Sequence, residues 1–88
     1  MKKVTVRVEG SSGLHARPAS LLVAKAQAFE SEVFIEKDGR EINGKSIIGI
    51  LGLGVVKGDQ IVVACDGPDE EDAAEALRRL IEEDLKNE

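Results

Sequence analysis

The sequence predicts an α+β fold in which a single antiparallel β-sheet is covered on one side by helices. Four segments have the apolar alternation or the β-branched content of strands, and three others place apolar residues at helical spacing. Each strand carries one apolar face and each helix one apolar stripe, so these surfaces can meet in one layer. The order is βαββαβα, and 88 residues suffice for one small domain spanning residues 1–88.

The first strand and the first helix are separated by a glycine-rich turn at residues 10–13. The strand is predicted from an alternating pattern whose apolar members are Val4, Val6 and Val8. From residue 16 to residue 29, helical spacing predicts a buried stripe of Ala19, Leu22, Val23, Ala26 and Phe29. Pro18 fits the first turn of this helix, where its missing N–H removes no helical hydrogen bond.

A β-hairpin is predicted in the middle of the chain. Residues 32–37 form its first strand, with Val33 and Ile35 facing the core. The two residues that follow, Asp38 and Gly39, suit a two-residue hairpin turn, because both of its central positions require positive φ. The chain then returns as a short third strand at residues 41–43.

The second half of the chain predicts a short helix, a strand and a longer helix. Residues 47–53 form the short helix, and Gly54 supplies its left-handed C-terminal residue. Residues 60–66 form the fourth strand, whose inward positions are Ile61, Val63 and Cys65. Asp69 is expected to cap the last helix. The buried stripe of that helix is formed by Ala73, Leu77, Leu80 and Ile81.

Composition excludes several classes of protein. The formal net charge is −5 and only two residues are aromatic, which argues against nucleic-acid binding by basic patches or by base stacking. One histidine and one cysteine, Cys65, without clustered ligand spacing, predict no metal site and no internal disulfide. The N-terminal segment lacks the continuous apolar run of a signal peptide, and no segment is long enough to span a membrane. We therefore expect a cytoplasmic protein.

The stretch with the most specific chemistry is GLHARPAS at residues 13–20. It places His15, the single histidine, at the amino end of the first helix, with Arg17 two residues further on. Unpaired N–H groups and a partial positive charge make a helix amino terminus attractive to anions. The local chemistry is that of an imidazole that carries or faces a phosphoryl group. Without its neighbours, a lone histidine is more simply an exposed polar residue beside a helix cap.

Two separated motifs give the chain a resemblance to a known family. Residues 13–19 resemble the phosphorylation motif of HPr, the histidine-containing phosphocarrier of the bacterial phosphoenolpyruvate-dependent sugar phosphotransferase system. Residues 43–49, NGKSIIG, resemble the second motif of that family, around its regulatory serine. The resemblance extends over essentially the whole chain. It implies an open-faced β-sandwich of four antiparallel strands in the order 1-4-2-3 under three helices.

The resemblance assigns roles to the residues of the first motif. His15 is then the phosphoryl acceptor, through its Nδ1 atom. Arg17 can offer its guanidinium to the phosphoryl oxygens, and the backbone N–H groups of Ala16 and Arg17 can add fixed donors. Pro18 stiffens the turn that aims His15. Because a carrier must release its group again, the site is expected to be shallow and exposed.

Ser46 and the helix after it form the second region of interest. Ser46 stands directly before an apolar helical run, where capping contributes about 1 kcal/mol. The resemblance implies in addition that a kinase phosphorylates Ser46. Three helices over one small sheet cannot bury every apolar side chain, so we expect an exposed docking patch formed by Ile47, Ile48 and Leu51. Ser20 is expected to line the same surface.

The resemblance also implies partners. The chain would accept its phosphoryl group from phosphorylated Enzyme I and pass it to sugar-specific Enzyme II A components, as a monomeric carrier without a cofactor and not as an enzyme. HPr kinase/phosphorylase and a catabolite-control transcription factor are implied partners of Ser46. Two alternatives stay open: a regulatory protein acting mainly through phosphorylated Ser46, and a carrier in a nitrogen-related phosphorelay. The presence of His15 argues against the regulatory members of the family that lack this histidine.

Overall fold

Four antiparallel strands form one sheet, and three α-helices lie on one side of it. The structure is a computed structural model that describes residues 1–87. The strands are β1 (Lys2–Arg7), β2 (Glu32–Lys37), β3 (Arg40–Asn43) and β4 (Gln60–Asp66). Their order in the sheet is β1-β4-β2-β3, which confirms the predicted topology.

The helices follow the predicted order with small differences at their ends. They are α1 (Ala16–Gln27), α2 (Ile47–Gly52) and α3 (Glu70–Glu82), followed by a 3₁₀ turn over Asp84–Asn87 that the sequence did not indicate. The first helix ends two residues earlier than predicted, because the Phe29 N–H bonds back three residues to Ala26 O and tightens the last turn. Within residues 1–87, no helix has the length and apolar character needed to cross a membrane.

The core lies between the sheet and the helices. Val63 of the central strand β4 pairs with Val4 of β1 on one side and with Ile35 of β2 on the other. This register places the inward side chains of three strands in one layer, as the alternation predicts. All four stripe residues predicted for α3 are buried, and Cys65 is a buried core residue as expected. In α1 the stripe is buried at Ala19, Leu22 and Ala26, whereas Val23 and Phe29 are partly buried at its edge.

The hairpin turn has the predicted conformation. Asp38 has φ 52° and Gly39 has φ 83°, so both central residues are left-handed. Gly54, after α2, is also left-handed, with φ 65°. The first turn lets β3 pair with β2, and Gly54 follows the end of α2.

The expectation that Asp69 caps α3 through its side chain is wrong. Asp69 stands at the N-cap position, but its carboxylate makes no capping hydrogen bond. It accepts instead from the Ser31 hydroxyl, the Ser31 N–H and the Glu30 N–H. These donors, the Ser31 hydroxyl first, lower the pKa of Asp69 below its ordinary value. The carboxylate therefore joins the start of α3 to the chain entering β2.

Candidate functional site

The loop that carries His15 is tied at both ends to one other loop. We call residues 8–15 the His15 loop and residues 53–59 the platform loop. At one end, the Val8 N–H donates to Asp59 O at 2.9 Å and the Gly58 N–H donates to Val8 O at 2.8 Å. At the other end, the Leu14 N–H donates to Val55 O at 3.1 Å. The position of His15 is therefore set by the platform loop.

Gly13 allows the two loops to approach closely. Its φ is +57°, and a Cβ atom added there would lie 2.4 Å from Val55 O and 2.8 Å from Val56 Cα. Only glycine fits such a contact without displacing backbone. This is the physical reason for a glycine two residues before His15.

His15 begins α1 without capping it. Its backbone is extended, with φ −77° and ψ −165°, and its side chain makes no capping hydrogen bond. Its carbonyl accepts the Ala19 N–H at 2.8 Å and closes the first helical turn. Because the ring is exposed and takes no part in the cap, both ring nitrogens can meet a partner at the positive end of a 12-residue helix.

The other predicted residues of the first motif divide into exposed and buried positions. Ala16, Arg17 and Ser20 are exposed on the first turns of α1, whereas Pro18 is buried. Pro18 therefore combines two roles, since its ring packs inward while its fixed φ suits the first turn. The exposed residues can meet an anion or a partner protein together with His15.

Ser46 caps α2, as predicted. Its side-chain oxygen accepts the Gly49 N–H at 3.1 Å and its carbonyl accepts the Ile50 N–H at 3.1 Å. The side chain is half-buried. Lys45 beside it donates through Nζ to Phe29 O at 2.9 Å, which ties the start of α2 to the end of α1. Ser46 is thus held in place by bonds on both sides of it.

Three apolar residues of α2 are exposed to solvent, as the sequence predicts. Ile48 is 80% exposed, Leu51 43% and Ile47 37%, whereas Ile50 is fully buried. Exposed apolar side chains on neighbouring turns are typical of a protein contact surface. The sequence prediction missed Val56 of the platform loop, which is 50% exposed and lies beside Gly13. It also missed the exposed Leu21 of α1. Because Leu21 lies outside the apolar stripe of this helix, its position in the sequence could have indicated that it is exposed.

The residues of the site that can meet a partner, His15, Arg17 and Ser20, are exposed. A groove of about 390 Å³ lies elsewhere, between α1 and the end of α3, and its lining includes neither His15 nor Arg17. Among residues 1–87, no three His, Cys, Asp or Glu side chains gather in a way that could hold a metal ion. The site residues that the sequence predicts at this terminus are the exposed His15 ring and Arg17, in the first turn of α1.

Known proteins resemble this chain over nearly its full length. A family model described as the PTS HPr component phosphorylation site matches residues 2–83. The HPr-like protein Crh of Halalkalibacterium halodurans is 45% identical over 84 residues, covering 96% of this chain and 100% of that protein. The crystal structure of HPr-C-His from Thermoanaerobacter tengcongensis superposes with a TM-score of 0.95 at 45% identity, over 100% of this chain and 99% of that one.

A third relative differs in its assembly. The catabolite repression protein Crh of Bacillus subtilis, whose crystal structure shows a domain-swapped, intertwined dimer, superposes with a TM-score of 0.76. The two chains are 39% identical, over 100% of this chain and 99% of that one. The matches include both the His15 region and the Ser46 region.

Proposed function

The chain belongs to the HPr family of phosphocarrier proteins of the phosphotransferase system, and we propose that it relays a phosphoryl group from phosphorylated Enzyme I to Enzyme II A components through His15. Proteins of this family are not enzymes themselves. The observation that supports the relay most strongly is the exposed His15 ring, which starts α1 without capping it. A ring buried in the core or bonded to the backbone could not exchange its group between two partners.

The transfer step uses few groups of this chain. A neutral ring nitrogen, Nδ1 by family resemblance, attacks phosphorus, and the bond from phosphorus to the donor breaks as the new N–P bond forms. The transition state carries charge on three phosphoryl oxygens, so positioning and electrostatics dominate the rate. Arg17 offers its guanidinium to these oxygens, and the first-turn N–H groups of Ala16 and Arg17 add the field of the helix terminus. In the second transfer the same N–P bond breaks.

Docking would use the exposed apolar surface of α2, a helix that packs against α1. Ile47, Ile48 and Leu51 are exposed on α2, and Ser20 is exposed on α1. A partner that covers these side chains removes them from water, which favours association without any pocket. Successive partners can use the same surface, because each of them leaves before the next one binds.

The relay is tested by two coupled measurements. The protein is incubated with phosphoenolpyruvate and Enzyme I, and intact mass shows whether an acid-labile group is gained. An Enzyme II A component is then added, and the group is expected to leave the carrier and appear on that component. The Arg17→Ala variant is expected to accept the group more slowly by about tenfold, as for the loss of one charge-assisted contact. A carrier that gains no group from a competent Enzyme I would contradict the proposal.

A second function is favoured by the relatives named Crh, one of which is a catabolite repression protein. We propose that a kinase of the HPr kinase/phosphorylase type modifies Ser46 and that the product binds a transcription factor. A phosphate adds about −1.5 to −2 charges next to the exposed Ile47 and Ile48. The ester oxygen can still accept the Gly49 N–H, so modification is expected to change the docking surface without unfolding α2.

The Ser46→Asp variant tests this second function. Its far-ultraviolet circular dichroism is expected to match the wild type, while its rate of phosphoryl acceptance from Enzyme I falls. The Ser46→Asn variant keeps a capping side chain without the charge and serves as the control. An Asp variant that accepts phosphoryl groups as fast as the Asn variant would contradict a charge effect at the docking surface.

We propose that the carrier works as a monomer in the cytoplasm. The Bacillus subtilis relative forms a swapped dimer, so oligomeric state is a point on which members of the family differ. Analytical ultracentrifugation across protein concentration is expected to show one monomeric species. A dimer that persists at micromolar concentration would overturn this part of the proposal.

A further inference from the structure

The platform loop is itself held by a cation at the end of β2. Lys37 is the last residue of β2, and its side chain is only 19% exposed. Its Nζ donates to Gly54 O at 3.1 Å and lies 3.0 Å from Asp59 Oδ2. The same carboxylate oxygen accepts the Val56 N–H at 2.9 Å. One ammonium group therefore joins both ends of the platform loop.

The residues that Lys37 contacts are the same as, or next to, the residues whose hydrogen bonds fix the His15 loop. Gly54 directly precedes Val55, whose carbonyl accepts the Leu14 N–H. Asp59 binds the other end of the His15 loop through its own carbonyl, which accepts the Val8 N–H. A continuous chain of bonds therefore runs from Lys37 through the platform loop to the residue next to His15.

We propose that Lys37 is a positioning residue for phosphoryl transfer, acting on His15 through the platform loop. The proposal rests on the proposed relay function of His15. Lys37 does not touch the reacting atoms; it fixes Val55 O, and Val55 O fixes Leu14. The close contact of Gly13 with Val55 strengthens this coupling, because the two backbones leave no space into which either could move toward the other.

Loss of the ammonium group would release the platform loop in two places. The Gly54 carbonyl would lose its donor, and the Asp59 carboxylate would lose the cation that balances its charge. The Val56 N–H would then be held by a carboxylate that is drawn toward water. A displacement of about 1 Å at a reacting group can reduce a rate by on the order of 100-fold, so a smaller shift is expected to reduce it by about tenfold.

The test compares Lys37→Met with Lys57→Met. Lys57 is an exposed lysine of the same platform loop, and its amine makes no hydrogen bond or ion pair with residues 1–87, so its removal changes charge equally without breaking either contact. The Lys37→Arg variant tests rescue by another cation. Asp59→Asn removes the ion pair while keeping an acceptor for the Val56 N–H, and it serves if Lys37→Met does not fold.

Two readouts are made on each variant. The first is hydrogen exchange of the Leu14 amide by NMR, which requires no partner. The second is phosphoryl transfer from Enzyme I over a range of Enzyme I concentrations, which separates the maximal rate from the half-saturating concentration. For Lys37→Met we expect about tenfold faster Leu14 exchange and about tenfold slower maximal transfer. The half-saturating concentration should change by less than about twofold, because the docking side chains are untouched. Lys57→Met should match the wild type in both readouts. Lys37→Arg should recover most of the transfer rate that Lys37→Met loses. Asp59→Asn should lose less of the transfer rate than Lys37→Met does.

Each outcome decides the proposal. Equal Leu14 exchange in Lys37→Met and Lys57→Met would overturn it, even if the wild type never accepted a phosphoryl group from Enzyme I. Faster exchange with unchanged transfer would show that Lys37 only stabilises the fold, which also overturns it. A wild type that fails to accept the group would instead contradict the relay, while Leu14 exchange still tests whether Lys37 holds the His15 loop.

Discussion

The amino termini of α1 and α2 are built in opposite ways. At α2 the Ser46 side chain accepts a backbone N–H of its own helix, whereas at α1 the His15 side chain makes no such bond. Both residues have extended backbones and precede apolar helical runs. The difference lies in what the side chain does: Ser46 completes a structural cap, and His15 is left available to another molecule. In the proposed functions, the uncapped terminus would carry the phosphoryl group, and a modification of Ser46 would have to accommodate its existing hydrogen bond to the Gly49 N–H.

The surroundings of the two termini show the same contrast. The position of His15 is set by the backbone hydrogen bond between Leu14, the preceding residue, and the platform loop. The His15 ring takes no part in this bond or in the helix cap. Ser46 is held through its own side chain and by Lys45, whose amine reaches the end of α1. The position of His15 is therefore fixed through backbone, whereas at Ser46 a bond to the side chain is added to the backbone bonds.

The largest expected effect comes from breaking the backbone support of His15. Gly13→Ala would place a Cβ atom 2.4 Å from Val55 O in a residue with positive φ. We expect the free energy of unfolding to fall by about 3 kcal/mol or more, from strain and overpacking together, measured by urea unfolding. Gly54→Ala is the matched control, because Gly54 also has positive φ but nothing within 4 Å of the added atom. It should lose about 1 kcal/mol.

Equal losses in Gly13→Ala and Gly54→Ala would mean that the contact between the two loops carries no weight. The contrast between the two helix termini would then lose its basis, because the platform loop would not hold His15 rigidly.

The next effect concerns the proposed docking surface beside Ser46. Ile48→Ser is expected to raise the half-saturating concentration of Enzyme I by about tenfold, as for the loss of one buried side chain at an interface. The free energy of unfolding should stay within about 0.5 kcal/mol of the wild type, because Ile48 is 80% exposed. Titration of Enzyme I in the transfer assay measures the first quantity. An unchanged half-saturating concentration would remove Ile48 from the docking surface.

A smaller effect separates the two helix termini directly. Ser46→Ala removes a cap bond and is expected to lower the free energy of unfolding by about 1 kcal/mol. His15→Ala removes an exposed ring that caps nothing and should change it by less than about 0.5 kcal/mol. Urea unfolding of both variants in one buffer makes the comparison. A larger loss at His15 than at Ser46 would reverse the structural assignment.

The smallest effect is in the pH dependence of stability, and it concerns the start of α3. The pKa of Asp69 is lowered in the folded protein, chiefly by the Ser31 hydroxyl. Its carboxylate therefore stabilises the fold above its unfolded pKa of about 3.9, and this contribution is lost as pH falls through the folded value. The stability difference between wild type and Asp69→Asn should shrink between about pH 5 and about pH 3. A difference that stays constant over this interval would contradict the assignment.

Local periodicity in the sequence predicted the strands, the three helices and the positions of the buried stripes, whereas the order of the strands in the sheet was implied by the family resemblance. The sequence also predicted the Ser46 cap, which depends on residues only three positions apart. It could not predict the bonds of Asp69, since the partners of its carboxylate lie 38 and 39 residues away. The same holds for Lys37 and Asp59, which are 22 positions apart in the sequence and meet only in the folded chain.

The candidate site follows the same division. His15 and Arg17 were identified from one short motif, and the exposure of Ile47, Ile48 and Leu51 from the surplus of apolar residues. Val56 was missed because a single valine after a turn has no periodic neighbours that would mark it as exposed. What sequence alone leaves out is therefore the support of the site rather than its reactive groups.

The most direct test of the account compares three proteins in one reaction. Wild type, His15→Ala and Ser46→Ala are each incubated with phosphoenolpyruvate and Enzyme I, and intact mass is measured before and after mild acid treatment. The account predicts an acid-labile phosphoryl group on wild type and on Ser46→Ala, and none on His15→Ala. A phosphoryl group on His15→Ala, or its absence from Ser46→Ala, would contradict the claim that the uncapped helix terminus is the site of transfer.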